Sequence, residues 1–172
     1  MKKRWGCSLI LLFLVAAICQ AKTISVQVVQ NNPGQERIWE TTNLVEQSII
    51  DYFFDDGNIV SNSPIWISSS DDKKNHGALN AALIENSEGG MEFLVRVEVF
   101  FNTSKSSNPD APLLENIEKI EWKIYSVDSG KEVSSGNEKP QKITLSNNNE
   151  LGIKTFAYLV SGKINKALDG RK

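Results

Sequence analysis

The sequence predicts an α/β (α+β) fold. It is expected to be a two-layer sandwich, a mixed sheet of four to five strands with about three helices in the order β-α-β-α-β-β(β)-α. Three observations carry this. β-Branched and aromatic residues alternate along residues 23–29 and 91–102, the period of a strand. Apolar stripes at helical spacing run through residues 36–54 and 151–168. Clusters of Gly, Pro, Asn and Asp punctuate the chain between them and supply the backbone angles that turns require.

Taken in order, Thr23 to Val29 places Ile24, Val26 and Val28 on one face of a first strand, closed by the turn Asn31-Asn32-Pro33-Gly34. Glu36 to Phe54 follows as a helix with Ile38, Thr42, Val45, Ile49 and Phe53 on its stripe, stopped at Gly57. Asn58 to Ser68 reads as a strand that Pro64 either breaks or confines to an edge. Asp71 to Ile84 reads as a second helix, weakened at Gly77 by up to about 1 kcal/mol relative to Ala. Met91 to Asn102 is the clearest strand. Met91, Phe93, Val95, Val97, Val99 and Phe101 alternate with Glu92, Arg96 and Glu98, so one face is expected buried and the other mostly wet. Thr103 to Pro112 is the longest loop. Ile117 to Val127 carries Ile120, Trp122 and Ile124 on one face, and Asp128-Ser129-Gly130 turns it back into a short arm, Lys131 to Ser135. Ser135-Gly136-Asn137 reads as a turn and Lys142 to Leu145 as a further short strand. Asn147 to Asn149 caps a last helix, Leu151 to Leu168, with Ile153, Phe156, Ala157, Val160, Ile164 and Leu168 on its stripe. The first β-α-β portion fits a right-handed crossover with parallel strands, and the later strands look antiparallel.

The first 21 residues read as an address. Lys2, Lys3 and Arg4 precede an apolar run from Leu9 to Ile18, and Cys19-Gln20-Ala21 places small residues where signal peptidase requires them. The run falls short of the roughly 20 residues a membrane-spanning helix needs. Residues 1–21 are therefore expected to be a cleaved secretory signal and residues 22–172 a single domain. Cys19 is the one lipidation candidate, but Ile18 departs from the small residue that lipidation signals place before the cysteine. Membrane attachment is expected only through a lipidated Cys19 or an uncleaved signal.

The whole chain has 172 residues with 19 Lys+Arg against 21 Asp+Glu, a net charge of -2. The signal takes three basic residues and no acidic ones with it, leaving 16 against 21, or -5. That balance argues against nucleic acid as a partner. Both cysteines, Cys7 and Cys19, lie in the signal. The exported domain would then hold itself together by its core rather than by disulfides.

The turn grammar carries a resemblance. Gly57, Ile59, Val60 and Ser61 follow a long helix, and Val127-Asp128-Ser129-Gly130-Lys131-Glu132-Val133 closes a hairpin before a terminal amphipathic helix. In these features the chain resembles the TolB amino-terminal, curli-secretion and lipoprotein-activator type of α/β domain from bacterial envelope proteins. The resemblance implies a non-enzymatic envelope module that docks on another protein, and it carries over no catalytic residue.

The residues themselves offer little chemistry. His76 is the single histidine, set among Lys73, Lys74 and Asn75, so triad and His-based zinc chemistry lack parts. Asp71-Asp72 suits a helix start. No carboxylate stands in an apolar sequence setting that would raise its pKa. No catalytic residue, metal site or cofactor is expected. Two aromatic residues fall off the buried stripes. Phe100 lies beside Leu94 on the otherwise polar face of its strand, and Trp39 lies off the main helix stripe. Phe100, Leu94 and Trp39 are the candidates for partner docking, against the alternative of cover by a neighbouring helix or loop.

The expected function is a non-catalytic protein-interaction module in the periplasm or cell envelope, with another envelope protein as partner and self-association through an edge strand as an option. A small-molecule or glycan-binding protein is the alternative, favoured by a pocket holding Trp66 or Trp122. A carboxylate-based hydrolase is the lesser alternative, favoured by two acids facing across an apolar cleft.

Overall fold

The computed structural model describes residues 21–31 and 40–170. Cys19, Trp39 and the first residues expected in the first helix lie outside them. The elements run β1 (Thr23–Asn31), α1 (Glu40–Asp55), β2 (Ile59–Ile67), α2 (Asp72–Glu88) and β3 (Phe93–Phe101). A 3-10 turn (Leu114–Asn116) leads into β4 (Ile117–Ser126), β5 (Lys131–Glu138) and α3 (Glu150–Asp169). The five strands form one mixed sheet in the order β2-β1-β3-β4-β5. β1 is parallel to both β2 and β3. The β3–β4 and β4–β5 pairs are antiparallel.

β1 is central, and neither of its faces is wet. Ile24 to Gln30 are all buried, with Ile24, Val26 and Val28 on one face and Ser25, Gln27 and Val29 on the other. Parallel strands of this kind need cover on both sides. The connections provide it. The chain passes from β1 outward to β2 through α1, then back across β1 to β3 through α2. Two crossovers of one hand that travel in opposite directions place their helices on opposite faces.

The larger core fills the space between the sheet and the α1–α3 pair. Val45, Ile49 and Phe53 of α1 and Ile153, Val160 and Ile164 of α3 meet the sheet's Ile24, Val26, Val28, Val95, Val97 and Ile124. The sequence predicts two layers, which this pair and the sheet supply, and α2 makes a third. α2 adds partial cover on the other side. Its Leu79, Ala82 and Leu83 pack on Leu94, Tyr125 and Val127. A buried polar link supplements this small contact: Asn86 Nδ2 donates to Ser63 Oγ at 3.0 Å, and Ser63 Oγ lies 3.2 Å from Ser25 Oγ. Buried polar atoms paired in this way avoid the cost of lost solvation.

Some boundaries differ from the sequence reading. α2 continues to Glu88, where Gly89 donates back to Glu85 O. β3 has only a partly wet second face, because α2 buries Leu94 and leaves Arg96 5% exposed. Lys142 to Leu145 is not a strand but the start of a turn-rich loop. Ser135-Gly136-Asn137 is not a turn but part of β5. There the absent side chain has a different use: a Cβ on Gly136 would stand 2.4 Å from Cζ2 of Trp122, so the indole lies across the glycine. Pro64 sits on the outer strand β2, as expected, beside a register shift between Gln27 and Val29.

Two helical glycines predict opposite outcomes. Gly77 meets nothing within 4 Å, so Gly77→Ala should gain helix propensity and raise Tm by about 2–4 °C. Gly152 lies where a Cβ would fall 1.7 Å from Asn147 O. Gly152→Ala should therefore lower Tm by at least about 4 °C through overpacking. Thermal unfolding of both variants followed by circular dichroism checks the pair.

Candidate functional site

Two grooves flank the sheet, one apolar and one polar. The apolar groove, about 370 Å³, lies between the end of β5 and the first turns of α3. Leu114, Leu151, Phe156 and Leu159 supply its apolar walls, with Glu138 and Lys163 among its polar ones. The 141–149 loop shapes it. Asn147 Oδ1 accepts from the Thr144 N–H at 2.7 Å, and its Nδ2 donates to Lys142 O at 3.2 Å. Asn148 Oδ1 accepts from Glu115 N–H at 2.9 Å, tying the loop to the start of β4. Asn149 caps α3 by accepting from Gly152 N–H at 3.1 Å. Lys142 takes φ 49°, a left-handed conformation uncommon for a residue with a side chain.

Around this groove apolar side chains stand in water. Leu151 is 71% exposed, Leu159 52%, and the loop's Leu145 fully so. α3 thus carries two apolar stripes. One enters the core, and Leu151 and Leu159, eight residues apart on a common face, form part of the second. A helix needs only one such stripe to pack on a sheet. The leucines left off the core stripe are the signal for this site that can be read in the sequence.

The polar groove, about 450 Å³, lies on the α2 side near the carboxyl ends of β1 and β2. Gln27, Arg96 and Lys123 stand abreast across β1, β3 and β4. Arg96 Nη1 donates to Gln27 Oε1 at 3.3 Å, and its Nε lies 3.6 Å from Glu98 Oε1. Burial pushes the Arg96 pKa down, and the charge of Glu98 works against that shift. Burial also raises the Tyr125 phenol, with Glu132 adding to the effect and Arg96 opposing it. The β2–α2 loop is held by Asn75, which accepts from Ser69 N–H at 2.8 Å and Trp66 Nε1 at 3.1 Å and donates to Ser69 O at 2.7 Å. His76 lines the same groove from an exposed position on α2.

Two of the three docking candidates, Leu94 and Phe100, lie among the described residues. Leu94 is buried beneath α2, which is the cover weighed against it from the sequence. Phe100 is half-buried, with Lys119 Nζ 4.2 Å from its ring centroid, a cation–π distance. Trp66 is engaged by Asn75, and Trp122 by Gly136.

One carboxylate corrects the sequence reading. Glu46 on α1 has its pKa raised above 4.5 by burial, with a hydrogen bond to Asn62 acting the other way. Its Oε1 is buried without a hydrogen-bond partner among the described residues. Sequence order hid this because the carboxylate's partner Asn62 stands on β2, distant along the chain. A glycosidase-like site needs a second carboxylate, and the group that meets Glu46 is an amide. Among the described residues, no three His, Cys, Asp or Glu side chains converge as a metal site would require.

A family model described as "Uncharacterised protein" matches residues 23–169, and the chain belongs to that family. No curated protein matches the chain. Among solved structures, a PelC dodecamer from Paraburkholderia phytofirmans is 14% identical. It covers 88% of this chain and 90% of that one, at TM-score 0.48. TolB from Acinetobacter baumannii is also 14% identical, over 88% of this chain and 29% of that one, at TM-score 0.41. The LpoB carboxyl-terminal domain from Salmonella enterica is 11% identical, over 72% and 87%, at TM-score 0.39. The chain is similar to these structures in outline, and the likeness assigns no residue a role.

Glu46→Gln isolates the buried charge. A carboxyl whose folded pKa is raised stabilises the fold below its unfolded pKa, and that contribution is lost as pH rises through the folded pKa. The neutral variant should have a higher Tm than the parent at pH 7, and the difference should shrink as pH falls to 4.5 and below. Thermal unfolding across that pH range checks the sign.

Proposed function

We propose that this chain is an exported, non-catalytic interaction module that docks on another envelope protein through the exposed face of α3 and the adjoining loop. The observation that carries the reading is the solvated set Leu145, Leu151 and Leu159 beside an apolar groove. The groove gives a partner side chain a place to anchor, and such buried anchors dominate the energy of protein interfaces. The open edge of β5 lies alongside, so a partner strand can add to the sheet while its side chains enter the groove. The amino-terminal basic and apolar segments support export.

Phe100, on the opposite face of the sheet, is the comparison position. The test is photo-crosslinking in intact source cells from a residue placed at Lys163, followed by mass spectrometry of the adduct. One reproducible heterologous adduct is expected, reduced at least about tenfold by Leu159→Glu, the loss expected for a central anchor. Phe100→Ser should leave it unchanged. The proposal fails if the only adduct is a second copy of the chain, if none forms, or if a folded Leu159→Glu protein crosslinks as well as the parent.

A further inference from the structure

The polar groove calls for an occupant of different chemistry. Its floor holds a buried guanidinium on a sheet face, an expensive placement unless its donors are used. Among the described residues Arg96 makes one hydrogen bond, to Gln27, and one longer ion pair, to Glu98. A guanidinium has five N–H donors. Lys123, its cross-strand neighbour, brings a second positive charge to the same wall, and its ion pair with Glu132 is long at 4.0 Å and half in water. Two like charges abreast on a sheet repel, and an anion between them relieves the repulsion.

We propose that this groove binds a small polar molecule through a single carboxylate, held by Arg96 and Lys123. A guanidinium matches a carboxylate with two parallel hydrogen bonds. Glu98, beside Arg96 on the same strand face, and Asp72 at the start of α2 disfavour a doubly charged phosphate more than a singly charged acid. Ser68, Ser69, Asn31 and Tyr125 offer hydroxyl and amide groups to the rest of the molecule, so a hydroxylated body suits the groove better than an apolar one. The volume falls within the range of small-molecule sites. The position, at the carboxyl ends of β1 and β2 where successive crossovers leave for opposite faces, is where open α/β sheets take ligands. The carboxylate could belong to a free hydroxy acid or to the end of a peptide.

The test is an amide NMR titration of the purified protein. Glucuronate and glucose form one pair of probes, a free-acid tri-alanine and its carboxyl-terminal amide a second, and inorganic phosphate stands alone. At least one carboxylate probe should produce saturable shifts at Ser69, Asn75, Arg96 and Lys123, while glucose and the amide do not. Saturation by glucuronate alone identifies the free acid as the source, and saturation by the peptide acid alone identifies a chain end. Arg96→Lys should weaken binding at least about tenfold, because a point charge cannot replace the planar fork. Lys123→Gln, at a half-exposed site, keeps the test open should the Arg96 variant not fold, and it should weaken binding about threefold or more. Tighter binding of phosphate, equal binding of the uncharged probes, shifts confined to the α3 side, or no saturation by either acid at about 10 mM, a threshold weaker than useful affinity, would overturn the proposal.

Discussion

The burial of β1 on both faces is the constraint from which the rest of this structure follows. A strand with no wet face must sit inside the sheet and be covered above and below. β1 meets that demand by pairing in parallel with β2 and β3. Parallel pairing forbids hairpins and requires crossovers. The crossovers reverse direction at β2, so α1 and α2 fall on opposite faces. α3 then completes the layer that α1 begins.

The two faces are covered with different chemistry. The α1–α3 side is closed by interlocking aliphatic and aromatic side chains. On the α2 side a small apolar cluster and the Ser25–Ser63–Asn86 link hold the helix, and charged residues take over further along the strands. Each groove is the uncovered remainder of its layer. On α3 the leucines that lie off the core stripe stay in water. Under the first turns of α2, Arg96 and Lys123 line a polar hollow instead. A protein surface and a small charged molecule are suited to these remainders in turn, and the two can be occupied at once because they lie on opposite sides of the sheet.

Much of the fold was legible because strand and helix periods are local. The alternation in 91–102 and the stripe through 151–168 needed no tertiary information. The elements misread were those whose residues answer to a distant partner. Gly136 looked like a turn because its use, making room for Trp122, depends on the neighbouring strand. Leu94 looked available because α2 reaches it from elsewhere in the chain. Arg96 looked wet for the same reason, and Glu46 owes its raised pKa to burial that the spacing along α1 does not report. The site residues were the least legible. Leu151 and Leu159 resemble ordinary helix leucines until the core stripe has been assigned and they are left outside it.

If a partner covers the α3 face where the protein works, a thiol placed there is shielded from labelling. The chain's own cysteines are Cys7 and Cys19, both in the segment read as the signal. Single cysteines would be placed at Leu159 and, as a control on the other side of the sheet, at the exposed Glu88. Labelling rates with a maleimide would be compared for purified protein and for intact source cells. The account predicts that the Leu159 position labels at least about tenfold more slowly in cells, as expected for an anchor shielded from water. The Glu88 position should label alike in both. Equal rates at Leu159 in both settings would contradict it.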